Sequence, residues 1–254
     1  MTTVRVNGTL ASEERRRDLA RRLAREGTLS LAEEAIRFQV HEMTMRRDLD
    51  ALEREGLARR VRGGAVLAPG DAFELRMHRA RKAKRRIAQK LARFVPDSGA
   101  LAIDASTTLV HFARELSGVE LSVVTNGWAT FEELRRRPGV RAFLTGGESE
   151  EHNASLVGSL AIRSVEGFHF DRVFLSTTSI AAISGTSEPT PPQVEVKRAM
   201  VGVANEVIVA VDSTKLETTS PVRGLGLAEI DVLVTELEPS DARLDEYRSL
   251  VELL

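Results

Sequence analysis

From residue 100 onward, short apolar runs at 101–104, 121–125, 141–145, 172–176, 207–212 and 231–235 alternate with amphipathic stretches. Runs this short suit strands and the stretches between them suit helices, so the pattern calls for βαβ units on a largely parallel, buried sheet. The runs share a second property. Nearly all end in small polar residues: Asp104-Ala105-Ser106-Thr107-Thr108, Thr125-Asn126-Gly127, Thr145-Gly146-Gly147, Ser176-Thr177-Thr178 and Asp212-Ser213-Thr214-Lys215. In an open parallel sheet the carboxyl ends of the strands border the ligand crevice, so this edge carries hydroxyls, backbone N–H groups and one lysine. One such turn is explained by helix capping with Thr107 and Thr108 facing solvent; five along one edge point to a ligand. Ser106, Thr107 and Thr108, where a strand turns into a helix, read as a phosphate cradle. Asp104 would accept from a ligand hydroxyl, and Lys215 would supply a positive charge.

The first part of the chain is built differently. Residues 1–11 read as a loose tail. From Glu13, Leu19 and Leu23 form a narrow apolar stripe on a basic helix that Gly27 ends. Ser30 and Glu33 make a capping box for a second helix to about Phe38, with Leu31, Ala35 and Ile36 inward. A third helix follows a short connection. Its Met45, Leu49 and Leu52 share one face, and His41, Glu42, Arg46, Arg47 and Asp50 lie on the other. Gly56 stops it, and residues 57–65 form a short basic hairpin carrying Arg59, Arg60 and Arg62 and closing on Gly63-Gly64. Two short helices, a longer one and a hairpin make a winged helix-turn-helix whose third helix reads a major groove, where Arg46 and Arg47 suit base edges or phosphates. The plain alternative pairs Arg46 and Arg54 with Asp50 along a solvated helix face.

Charge separates the two parts. Residues 1–95 hold 23 Lys and Arg against 13 Asp and Glu, and the remainder 13 against 24. A basic first part is the footprint of a phosphate-backbone binder, whereas the acidic part should stay off DNA. The absence of cysteine excludes disulfides and thiolate chemistry, and five scattered histidines without ligand spacing give no metal site. No apolar run suits a signal peptide or a membrane span, which makes a cytoplasmic protein the expectation.

The stretch TMRRDLDALEREG followed by RRVRGGA resembles the N-terminal domain of DeoR-type transcriptional regulators, repressors of sugar catabolism. The family usually has serine where this chain has His41, a poorer helix cap; the resemblance implies a phosphate contact there and, with Thr44, backbone anchoring. The resemblance continues to about Thr235. Family sensor domains, in a fold related to ribose-5-phosphate isomerase, surround a phosphorylated sugar with segments matched here by Asp104 to Thr108, Thr125-Asn126, Gly146-Gly147 and Asp212 to Lys215. It also implies that Glu195 and Lys197 of EVKRAM approach the ligand. Ala105-Ser106 replaces the usual Ser-Gly, which narrows the cradle or adds a hydroxyl to it.

The expected organisation is therefore an α/β chain with a winged helix-turn-helix at 1–65, a linker at 66–80 and a mostly parallel α/β effector-binding and oligomerisation domain at 81–254. The linker's markers are Pro69, Gly70 and Asp71. Beyond it, residues 81–95 read as a helix with Ala83, Ile87, Ala88 and Leu91 inward. Its Lys82, Lys84, Arg85 and Arg86 read as a solvated face, with a second DNA contact as the alternative. Trp128 reads as core, beside the crevice. The expected function is a repressor of a carbohydrate operon, acting as a dimer or tetramer, released from double-stranded operator DNA by a phosphorylated sugar, with no cofactor and no membrane partner. The competing reading is a sugar-phosphate isomerase with an accessory DNA-binding domain, in which Asp104, Glu195 and Lys215 would serve the proton transfer and the enediolate.

Overall fold

The computed structural model describes residues 7–54, 57–67, 73, 76–77, 79–117, 120–150 and 153–254, with α1 side chains at 12, 14–16, 18–20, 22–23 and 26. The chain divides into two compact units, Met1–His78 and Arg79–Leu254. Gly56, Pro69, Gly70 and Asp71, singled out above, lie outside the described residues, as do two of the five histidines, His78 and His152.

In the first unit, α1 (Asn7–Glu26), β1 (Thr28–Ser30), α2 (Leu31–Arg37), α3 (Glu42–Arg54), β2 (Ala58–Val61) and β3 (Gly64–Leu67) form the winged helix. Leu19, Leu23, Leu31, Ala35, Met45, Leu49 and Leu52 close its core, because each helix offers one apolar stripe. The strands pair antiparallel in the order β1-β3-β2. Four expectations change. The first helix begins at Asn7, inside the stretch read as a tail. Ile36 is 79% exposed, and the inward position on α2 is taken by Glu34, whose carboxylate meets Arg22 at 3.1 Å. Val66 and Leu67 belong to β3 and not to a linker, since β1 and β2 both need a partner strand. Phe73, also placed in the linker, is buried, with the Arg76 guanidinium 5.8 Å from its ring centroid.

The charged letters of the α3 motif are largely struts. Buried Asp48 accepts from Arg15 Nε at 2.6 Å and ties α3 to α1. Glu53 accepts from the Arg60 backbone N–H at 2.7 Å, and Asp50 from the Arg60 guanidinium at 2.8 Å, tying α3 to the wing. The paired glycines of the wing have separate reasons. Gly63 sits at φ +85° in the hairpin turn, and a Cβ on Gly64 would lie 2.0 Å from the Leu29 carbonyl oxygen, where β1 crosses β3.

The second unit is a seven-stranded sheet with every pairing parallel, in the order β15-β14-β12-β9-β4-β5-β6. These strands are β4 (Ser98–Ile103), β5 (Glu120–Thr125), β6 (Val140–Leu144), β9 (Phe170–Ser176), β12 (Ala204–Ala210), β14 (Val232–Val234) and β15 (Glu252–Leu253). The helices are α4 (Arg81–Leu91), α5 (Thr107–Ala113), α6 (Trp128–Leu134), α7 (Ser159–Glu166) and α8 (Pro191–Gly202). Strand residues alternate between two cores, as a period of two requires. Leu101, Ile103, Phe174 and Ile208 meet α4 and α5, with Phe112 and Phe174 ring centroids 4.6 Å apart. Ala102, Val173, Leu175 and Val209 meet α7 and α8. Lys84, expected on a solvated face with Lys82, Arg85 and Arg86, is buried, while the other three are exposed.

The chain lays β4, β5 and β6 outward in one direction, then returns to place β9 on the other side of β4 and builds away from it. The switch of direction lies between β4 and β9. Short strands outside this sheet went unread in the sequence: the hairpin of β7 (Glu148–Glu150) and β8 (Ser155–Val157), and the group β10 (Ser179–Ala181), β11 (Gly185–Glu188) and β13 (Val222–Arg223). They are two to four residues long, too short for a period to register. Among the described residues no helix is long and apolar enough to cross a membrane.

The two glycines predict different penalties. Gly64→Ala forces a backbone clash and is expected to destabilise the first unit by about 3 kcal/mol, the upper range of overpacking. Gly63→Ala has open space and loses only roughly 1–2 kcal/mol to the left-handed backbone. Urea unfolding of the full chain followed by far-UV circular dichroism checks the order; equal losses would contradict it.

Candidate functional site

The first unit carries exposed arginines on two elements. Arg46 and Arg47 on α3, and Arg59 and Arg62 on the wing, are exposed. His41 precedes α3, and its Nδ1 accepts from the Met43 N–H at 3.1 Å, so this histidine does the capping that a serine would do. With Nδ1 accepting, the proton sits on Nε2, which is left to donate. Thr44 is half-buried one turn inside the helix. Arg60 stands apart from the other expected DNA contacts: besides Asp50, its guanidinium donates to the Arg46 carbonyl at 3.2 Å. That role is to brace wing against helix, and the Arg46–Asp50 pairing of the plain alternative gives way to it.

In the second unit the polar turns converge on the switch between β4 and β9, where parallel folds leave a crevice. Asp104, just past β4, accepts from the Ser176 N–H at 3.4 Å. Lys197, on α8, lies 3.2 Å from Asp104 Oδ2 and bonds Glu188 Oε1 and the Ser176 carbonyl. An ammonium has three donors, and these three partners use them all. Glu188 also accepts from the Thr178 hydroxyl at 2.8 Å. Lys215 Nζ donates to the Thr177 carbonyl at 2.6 Å, which brings the turn after β12 to the same strand end.

Burial pushes the Asp104 carboxyl above the usual aspartate range, against the pull of Lys197. Desolvation opposes charge on Lys197 too, but Asp104 and Glu188 outweigh it and hold the ammonium protonated. Two carboxylates face one cation, and Asp104 carries the excess.

The other expected residues are placed as follows. Ser106 Oγ caps α5 by accepting from the Leu109 N–H at 3.0 Å, leaving its own O–H to donate. Thr107 and Thr108 are buried, not solvent-facing, because α5 packs along its whole length. Asn126 is a brace: Oδ1 accepts from Ala105 N at 3.0 Å, and Nδ2 donates to Leu156 O at 3.1 Å. Thr125 Oγ1 accepts from Gly127 N at 3.0 Å. Gly146 and Gly147 follow the edge strand β6, where a Cβ on Gly147 would lie 2.5 Å from Val157 O. Asp212 accepts from Thr214 N at 3.2 Å and shapes its own turn. Glu195 is exposed on α8. Trp128, expected in the core, is 56% exposed, its ring 6.4 Å from Phe131. The sequence reading missed Glu188, Glu236, which anchors Ser213 through N–H and hydroxyl bonds, and Arg15. No local pattern marks them, since each meets its partner on another element, from nine residues away for Glu188 to thirty-three for Arg15.

Residues 15–69 match the model of a DeoR-like helix-turn-helix domain, and residues 79–237 that of the DeoR C terminal sensor domain. The HTH-type transcriptional repressor GlcR of Bacillus subtilis is 32% identical over 85% of this chain and 86% of its own length. The lactose phosphotransferase system repressor of Lactococcus lactis is 28% identical over 90% and 92%. Ribose 5-phosphate isomerase A from Neisseria gonorrhoeae aligns with 53% of each chain at a TM-score of 0.38 and 17% identity.

The buried cluster makes two linked predictions. Lys197→Met leaves two carboxylates without their cation and is expected to cost roughly 3–5 kcal/mol of unfolding free energy in urea. Asp104 is held above its unfolded value, so its contribution is complete below the ordinary aspartate range and is lost as pH rises through the folded value. Asp104→Asn should therefore flatten the decline of melting temperature as pH is raised from about 4. An unchanged slope would show that the excess charge resides elsewhere.

Proposed function

The chain belongs to the DeoR family of transcriptional regulators, and on that premise we propose that it represses a carbohydrate operon and leaves its operator when a phosphorylated sugar occupies the sensor domain. It is a DNA-binding regulator and not an enzyme. The observation that carries the proposal is the pairing, in one chain, of exposed arginines on a reading helix with a cluster of polar side chains at a sheet's switch of direction. Arg46 and Arg47 take base edges or phosphates. Arg59, Arg62 and the Nε2 of His41 take the backbone. The Lactococcus lactis relative, a lactose phosphotransferase system repressor, supports a carbohydrate pathway.

For the effector, Lys215 and the Ser106 hydroxyl are assigned to the phosphate, with Asp104 and the turns after β5 and β6 shaping the rest of the site. Lys197 holds that site together. The polar groups of the site bond one another, so the effector acts by replacing some of these bonds, which is how a ligand gains different affinity for two conformations. A dimer is proposed because a helix-turn-helix reads two half-sites about one turn of DNA apart.

Arg46→Ala or Arg47→Ala is expected to abolish specific binding to an operator selected from a random duplex library. Arg59→Ala should weaken binding to all sequences and lower the salt slope by about 1. Lys215→Ala should bind DNA as before and lose the response to effector, read as thermal stabilisation by a sugar phosphate over its unphosphorylated parent. Stabilisation by neither would refute the sensor assignment and leave the DNA-binding half intact.

A further inference from the structure

Helix α8 starts at the carboxyl edge of the sheet, because it precedes the parallel strand β12. Its first two positions are Pro191 and Pro192, and Gln193 is the third. Gln193 is only 4% exposed, yet neither Nε2 nor Oε1 has a hydrogen-bond partner; the Thr190 hydroxyl just before the helix is buried and unpartnered as well. Among the described residues, no other side chain leaves two separate polar atoms in this state. A buried carboxamide without partners gives up its water at both ends for nothing, and a leucine of similar size would not. One turn further along the same face lies Lys197, fixed to Asp104 and Glu188 at the switch of the sheet.

We propose that Gln193, with Thr190, is the part of the effector site that reads hydroxyl groups. This inference rests on the effector reading given above and adds a specificity residue to it. A carboxamide offers one donor and one acceptor side by side, which suits two neighbouring hydroxyls of a polyhydroxylated ligand. It does not suit a phosphate, whose oxygens would oppose Oε1. The helix end gives less help to an anion as well, since prolines at its first two positions remove two of its four free N–H groups. The phosphate therefore belongs with Lys215, and the carbon chain with its hydroxyls belongs with Gln193.

The test compares full-length wild type with Gln193→Leu by thermal shift and calorimetry. The probes are glucose 6-phosphate, ribose 5-phosphate and sorbitol 6-phosphate, their deoxy analogues lacking one hydroxyl, and inorganic phosphate. The expected result is a variant that melts no lower than wild type without ligand, because no bond was lost, but binds the best probe about ten- to a hundredfold more weakly. Inorganic phosphate should bind both alike. A variant with undiminished affinity for that probe would overturn the assignment of Gln193 and leave the effector reading standing. Lost affinity with a melting temperature several degrees lower would overturn it too, by showing a structural role. If no probe binds wild type, the effector reading itself fails and this inference with it.

Discussion

The sensor domain depends on one buried ammonium. Lys197 joins α8 to the end of β4 through Asp104, to β9 through the Ser176 carbonyl and to β11 through Glu188. A parallel sheet that reverses direction between β4 and β9 leaves two strand ends with no connection to cover them, and the lysine spans that gap. Its three donors are all engaged, which makes the junction rigid in geometry while leaving it an excess negative charge.

The winged helix uses charge in the same way. Asp48 with Arg15, Glu34 with Arg22, and Asp50 and Glu53 with Arg60 hold its helices and wing together around a small apolar core. A unit of this size buries little apolar surface, so directional bonds between elements fix an arrangement that the core alone would leave loose. The arrangement leaves Arg46, Arg47, Arg59 and Arg62 outward. Most of the acidic residues of the α3 motif thus fix geometry, while its arginines stay exposed.

Much of the architecture was legible because it is periodic. The stripe Met45, Leu49, Leu52 and the six apolar runs of the sheet were found where their spacing placed them, and the turns after β4 and β12 do meet at one edge. The errors have local causes. Ile36 was assigned inward by hydrophobicity alone, but the paired Glu34 occupies that side of a two-turn helix. Trp128 reads as core in the sequence, yet it opens a helix at a strand end and stays exposed. Arg60 also bonds α3 through the Arg46 carbonyl and Asp50, fourteen and ten residues away, a role that its charge alone does not reveal.

The sequence by itself determined the elements, their order and the polar character of one sheet edge, because hydrophobic period, capping residues and turn residues act over a few positions of chain. Only the tertiary structure decided what each polar residue does. Ser106 caps, Asn126 braces, Lys197 is fully engaged, and Gln193 is buried with nothing to bond. Those outcomes depend on which donors and acceptors from distant segments arrive at the same place, and on the removal of water that makes each unmade bond costly.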